Sequence, residues 1–334
     1  MSRVPLLSKL RIDPYILALL ATVGIASLLP ARGVVATGFD YATTFAIGLL
    51  FFLYGARLST REAIDGLKHW RLHGVVFAST FVLFPVLGLA AKLLVPGVLT
   101  PELWAGLMFL CCLPSTVQSS IAFTSIARGN VAAAICSASF SNLIGIVLTP
   151  LLVALFVITG NGGGGVSLES VRDIMLQLLA PFVAGQLLRR WVGGFITKHK
   201  KVLGYVDRGS ILLVVYVAFS EGVVAGIWGR LTPLSLVLLL VVNMVLLAIV
   251  MTVTTVAARR LPFSREDEIA IVFCGSKKSL ASGVPMATVL FPAATVGIAV
   301  LPLMLFHQIQ LMVCAWLARR YAAKQVQPEA ELVS

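Results

Sequence analysis

Ile269-Ala-Ile-Val-Phe-Cys-Gly-Ser-Lys-Lys-Ser-Leu-Ala-Ser-Gly-Val-Pro285 reads as a membrane-spanning stretch with two adjacent lysines, Lys277 and Lys278, at its centre. A charged side chain at the middle of a bilayer costs about 2.5–3.5 kcal/mol even on insertion scales, so a lipid-facing pair would forfeit about 5–7 kcal/mol. Such charges face a protein-lined, wet cavity instead. Gly275, Ser276, Ser279, Ser282 and Gly283 surround the pair and Pro285 follows. That composition suits irregular backbone, which lipid tolerates only where protein or a cavity encloses it. The stretch therefore predicts a helix broken at Gly275 within an all-α integral membrane protein, with the break as the candidate site.

The rest of the chain agrees. Its 334 residues are 59% hydrophobic and 12% charged, with a mean hydropathy of +0.98, whereas a soluble domain carries about a quarter charged residues. Cys111, Cys112, Cys136, Cys274 and Cys314 all lie in apolar stretches without the spacing of a disulfide framework or a zinc site, and read as buried thiols. The net charge of +12 sits at the ends of apolar runs, which points to membrane topology and lipid contact rather than to nucleic acid. No His-Glu-x-x-His, Gly-x-Ser-x-Gly or acidic pair within the spans argues for an enzyme, and no cofactor is expected.

At about 20 apolar residues per crossing, ten segments emerge: 13–30, 40–58, 70–94, 102–127, 130–158, 170–192, 205–228, 233–258, 267–291 and 295–320. With the N-terminus in the cytoplasm, only Arg32, Lys92, Arg172 and Arg230 fall outside, and 20 of the 26 lysines and arginines fall inside. The positive-inside rule thus expects both termini to be cytoplasmic, in a plasma membrane, or an inner membrane if the source is bacterial. The glycine run at 162–165 divides the chain into a five-helix repeat over 1–160, a Gly-rich linker over 161–169 and a second five-helix repeat over 170–321, with a cytoplasmic tail at 322–334. Because five is odd, the second set is inverted relative to the first, as in transporters whose discontinuous helices meet near the midplane.

The fourth and ninth spans correspond in that scheme. Cys111-Cys-Leu-Pro-Ser-Thr-Val-Gln-Ser-Ser-Ile121 places Pro114, which lacks a backbone donor, before Ser115, Thr116, Gln118, Ser119 and Ser120. A rise of 1.5 Å per residue puts Lys278 about 15 Å beyond Glu268 and Pro114 about 21 Å from Arg128, so the two breaks are expected to cross near the midplane. Freed amides there favour anions and freed carbonyls favour cations. Ser137 and Ser141 share a helical face in the fifth span and, with Asn142, line the same cavity or bond between helices. Among the 14 acids only Glu221 sits well inside a span. It is expected to pair with Lys277 or Lys278, to coordinate a proton or cation, or to be an acid at the outer interface. His307 reads as a packed or hydrogen-bonding residue of the tenth span.

Phe52-Leu-Tyr-Gly-Ala-Arg-Leu-Ser59, Leu113-Pro-Ser-Thr-Val-Gln-Ser-Ser120, Ala127-Arg-Gly-Asn130, Ser137-Ala-Ser-Phe-Ser-Asn142, Ala218-Phe-Ser-Glu221 and Gly275-Ser-Lys-Lys-Ser-Leu280 together resemble the bile acid:sodium symporter superfamily, in a branch like solute carrier family 10 member 7. The resemblance implies ten helices in a panel and a core domain, with broken helices four and nine crossing where sodium and an organic anion bind. The bile-acid branch has a carboxylate in its ninth helix for sodium, whereas no Asp or Glu occurs here between Glu268 and Glu329. Lysines stand in that neighbourhood, and a fixed ammonium can take the electrostatic role of a bound cation. The reading is a secondary transporter of a small anionic solute, working by alternating access with Na+ or H+ as the coupling ion. The alternative is a non-transporting membrane regulator or scaffold on the same fold. Ser276 and Ser279, flanking the lysines, complete the expected ligand set.

Overall fold

The computed structural model describes residues 14–57, 69–158, 168–226, 229 and 231–331. The Gly-rich linker expected at 161–169 lies mostly outside the described residues, as does the basic N-terminus. Every described element is helical. In chain order these are α1 (Pro14–Leu28), α2 (Gly33–Arg57), α3 (Trp70–Leu94), α4 (Pro101–Cys112), α5 (Gln118–Ile126), α6 (Val131–Val153, prolonged by a π turn Ala154–Ile158), α7 (Leu168–Lys198), α8 (Lys200–Val224), α9 (Pro233–Arg260), α10 (Arg265–Gly275), α11 (Leu280–Leu290) and α12 (Ala293–Glu331). Helix occupies each of the ten apolar stretches, and the fourth and ninth are each in two pieces. Gly33–Arg57, Trp70–Leu94, Val131–Val157, Lys200–Val224, Pro233–Arg260 and Ala293–Ala323 are long and apolar enough to cross a membrane. The boundary expected at 322 falls within α12, which continues to Glu331.

Local chemistry sets the helix ends. Thr100 caps α4 by accepting from the Leu103 amide, with Pro101 as the first helical residue. Thr232 and Pro233 repeat the arrangement at α9, where proline loses nothing because that amide has no intrahelical partner. Ser264 caps α10 through the Asp267 amide and three acids follow in the first turn, favourable at the positive end of the helix dipole. At the other end of α4, Pro114 offers no amide, and Leu113 N–H turns back to the Leu110 carbonyl. The helix stops there.

Packing separates central from peripheral helices. Leu103 and Trp104, then Gly106 to Cys112 of α4, and Glu268 to Gly275 of α10, are buried on all faces, which marks both pieces as core. By contrast α9 exposes Val237, Val241, Val245, Ile249 and Val253, an apolar stripe suited to lipid. α2 lies against α7 so closely that a methyl group on Gly55 would strike the Phe182 carbonyl and one on Gly185 the Phe52 carbonyl. α8 packs on α1, α2 and α12, with Arg57 of α2 ion-paired to Asp207 of α8. α3, α6, α9 and α12 surround the two broken pairs.

Candidate functional site

The two breaks touch backbone to backbone. Ser279 N–H, at the start of α11, donates to the Pro114 carbonyl at 2.9 Å. Around this link nearly every main-chain carbonyl freed by the broken ends has an identifiable partner, as buried backbone requires. On the α4 side, the Cys112 carbonyl accepts from Thr149 Oγ1 (2.8 Å) and the Ser115 carbonyl from Asn142 Nδ2 (2.7 Å). Ser115 N–H itself donates to Ser141 Oγ at 3.0 Å, so it does not close a turn onto Cys111. On the α10 side, the Phe273, Cys274 and Gly275 carbonyls accept from the hydroxyls of Ser120 (3.1 Å), Ser115 (2.6 Å) and Ser79 (2.8 Å). The hydroxyl of Ser276 closes onto its own helix at Val272 (2.6 Å), and Ser279 caps α11 through the Ser282 amide (3.2 Å).

Lys278 completes this set. Its fully buried ammonium donates to three carbonyls, Thr80 (2.8 Å), Cys111 (2.8 Å) and Leu113 (2.7 Å), using all three N–H donors, and lies 4.1 Å from the ring centre of Phe84. The Thr80 carbonyl is free for a local reason. A π turn over Ser79–Leu83 sends the Phe84 amide to Ser79, and the next residue, Pro85, has no N–H to give Thr80. The main chain of Lys278 is clamped from α12, where Gln310 accepts from its N–H (2.9 Å) and donates to its carbonyl (3.0 Å). His307 Nδ1 lies 2.9 Å from Gln310 Nε2, in keeping with its expected hydrogen-bonding role.

Lys277 points elsewhere. Its ammonium is also fully buried but among the described residues has a single carbonyl partner, Ser119 at 2.9 Å, and otherwise faces the rings of Phe123 (4.1 Å) and Phe273 (5.2 Å). Two adjacent ammonium groups thus have different surroundings, one saturated by carbonyls and the other held by one carbonyl and two aromatic faces.

Most of the residues expected at the site converge. Thr116 Oγ1 is 2.5 Å from Ser119 Oγ and 3.2 Å from Ser120 Oγ, and Asn142 Oδ1 accepts from Ser282 at 2.8 Å. Two expectations, for Glu221 and Gln118, need correction, and Ser137 takes the alternative given for it. Glu221 does not pair with either lysine: it sits near the end of α8, and the donors of both lysines go to main-chain carbonyls. Ser137 follows the other reading, a bond between helices: it lies 2.7 Å from His73 Nδ1 of α3 and not at the break with Ser141, because residues four apart on a helix are still offset along it. Gln118 opens α5 with an exposed side chain, outside the cluster. Thr80, Thr149, Ser79 and Gln310 were not anticipated. Pro85 near the middle of an apolar span, and polar Gln310 inside another, were the signals available.

Comparison with known proteins fits this geometry. The SBF-like CPA transporter family model matches residues 13–323. The chain is 59% identical over 320 residues to "Uncharacterized protein PA2026" of Pseudomonas aeruginosa and 56% identical over 320 residues to "Putative symporter YfeH" of Escherichia coli, covering 96% of both chains in each case. It is 28% identical over 313 residues to "Sodium/bile acid cotransporter 7" of Rattus norvegicus, covering 92% of each. With two broken helices joined at Pro114 and Ser279 and a family match along almost its whole length, this multi-pass membrane protein belongs to the SBF-like CPA transporter family.

Proposed function

We propose that the protein is a secondary active transporter of a small organic anion, working by alternating access around the junction of α4–α5 with α10–α11. The observation that carries this reading is the unequal treatment of the two lysines. An ammonium enclosed by three carbonyls is a cation site whose cation is covalently attached, and Lys278 is assigned that role. Lys277, with one carbonyl bond, keeps donors for a carboxylate, sulfate conjugate or phosphate when the surrounding helices part. In this reading ten spans form two inverted five-helix halves with both termini cytoplasmic, and the attached cation removes the need for bound sodium, which leaves H+ as the coupling ion.

The test is uptake of a panel of carboxylates, sulfate conjugates and phosphates into proteoliposomes containing the purified protein. Flux of at least one class, driven by its gradient and saturable, is expected. Correctly folded protein that neither binds nor moves any of them would replace this reading with that of a membrane regulator or scaffold.

A further inference from the structure

A second feature, independent of the lysines, lies where α9 ends and α10 begins. Here α9, α10 and α12 border a cleft of about 430 Å³. Three guanidinium groups line it, those of Arg259, Arg265 and Arg320. Beneath them, buried Glu268 takes Arg259 Nε at 3.2 Å and Arg265 Nη1 at 2.7 Å, and accepts from the Tyr321 hydroxyl at 3.2 Å. Arg265 is further fixed over the Tyr321 ring, 4.6 Å from its centre. Arg320 lies 5.3 Å from the ring centre of Trp316 and has no acidic partner among the described residues. Three cations against one carboxylate leave two positive charges uncompensated around a single opening.

Along the same helices, away from the arginines, the lining turns apolar. Met251, Val256 and Leu317 contribute to it, and the hydroxyls of Thr252 and Thr255 are committed to the carbonyls of Ala248 and Met251 within α9, each at 2.7 Å. Met251 and Arg259 are eight residues apart on one helix, about 12 Å, so the apolar wall runs a considerable distance from the charged end. The neighbouring surface is of the lipid-facing kind: Val253, Val256, Met312 and Trp316 are all exposed. A soluble anion would use the charges and leave that wall uncovered, whereas an amphiphile uses both.

The geometry points to a binding site for an anionic phospholipid, with its phosphodiester on Arg259, Arg265 and Arg320 and an acyl chain along Met251, Val256 and Leu317. Occupancy ties the end of α9 to α12, the helix that also clamps Lys278 through Gln310.

The full-length protein in detergent is titrated with phosphatidylglycerol, with phosphatidylcholine of the same chains, and with inorganic phosphate, and followed by native mass spectrometry and thermal unfolding. Phosphatidylglycerol is expected to be retained and to raise the melting temperature; the other two are not. Arg320→Gln leaves both Glu268 ion pairs in place and should weaken phosphatidylglycerol retention about tenfold, the loss of one charge-assisted contact, without lowering the lipid-free melting temperature. Arg259→Gln combined with Arg320→Gln should weaken it further. Equal retention of the two lipids, or undiminished retention in Arg320→Gln, overturns the assignment. So does a response to inorganic phosphate equal to that of phosphatidylglycerol, which would make the cleft a soluble-anion site.

Discussion

The Ser279 amide donates to the Pro114 carbonyl across 2.9 Å, joining the start of one half-helix to the end of another by their main chains alone. No side chain is needed for the contact, so the two breaks define one structural unit. Lys278 lies beside it, with its Nζ on the Leu113 carbonyl at 2.7 Å. The hydroxyls of Ser115, Ser120 and Ser276 act within this unit as partners for helix-end carbonyls.

Lys278→Ala should therefore be a stability variant first. It leaves the Thr80, Cys111 and Leu113 carbonyls without their donor, each at about 1–3 kcal/mol, for a loss of at least about 3 kcal/mol. Lys277→Ala removes a second donor from the Ser119 carbonyl, which lies within the ladder of α5, and should cost less than Lys278→Ala. Thermal unfolding of both in the same detergent gives the order; equal melting temperatures would contradict the different roles drawn for the two lysines.

Gln310→Leu keeps the bulk and removes both hydrogen bonds to the Lys278 main chain. A loss of about 2–6 kcal/mol is expected, since a buried N–H and C=O each lose a partner at about 1–3 kcal/mol. Unchanged unfolding would mean that the clamp from α12 is dispensable.

The α2–α7 contact admits a paired test. Gly55→Ala places a methyl against the Phe182 carbonyl, and overpacking of this sort costs about 1–3 kcal/mol. Gly48→Ala, about two helix turns earlier with open space around it, should be neutral or stabilising by up to about 1 kcal/mol from helix propensity. Similar melting temperatures for the two variants would remove the close approach of these helices from the account.

Glu221→Gln should leave the lysine environment intact, because the lysine donors go to carbonyls. Melting temperature and anion affinity close to those of the parent are expected. A variant that behaved like Lys278→Ala would restore the ion pair that the sequence suggested.

Much of this was legible in the sequence, for identifiable reasons. Proline at 114 and the small residues after Cys274 forced helix ends, and α4 and α10 do end at Cys112 and Gly275. Rise per residue placed Lys278 level with the other break, which only a backbone contact could make specific. What could not be read was direction around the helix axis. Lys277 and Lys278 are adjacent, yet one reaches Ser119 and the other Thr80, Cys111 and Leu113. Glu221 was placed by depth alone, and depth says nothing about which neighbouring helix it faces. The Thr80 carbonyl escaped notice because its availability depends on a π turn combined with Pro85, a conjunction visible only in the folded backbone.

The most direct test of the central claim compares anion uptake into proteoliposomes in sodium and in choline medium, using whichever panel anion the protein moves, for the parent protein and for Lys277→Met. The account predicts equal uptake in the two media and a fall of about tenfold or more in Lys277→Met, the loss of one charge-assisted contact to the anion. Uptake that collapses without sodium, or that persists undiminished in Lys277→Met, would contradict it.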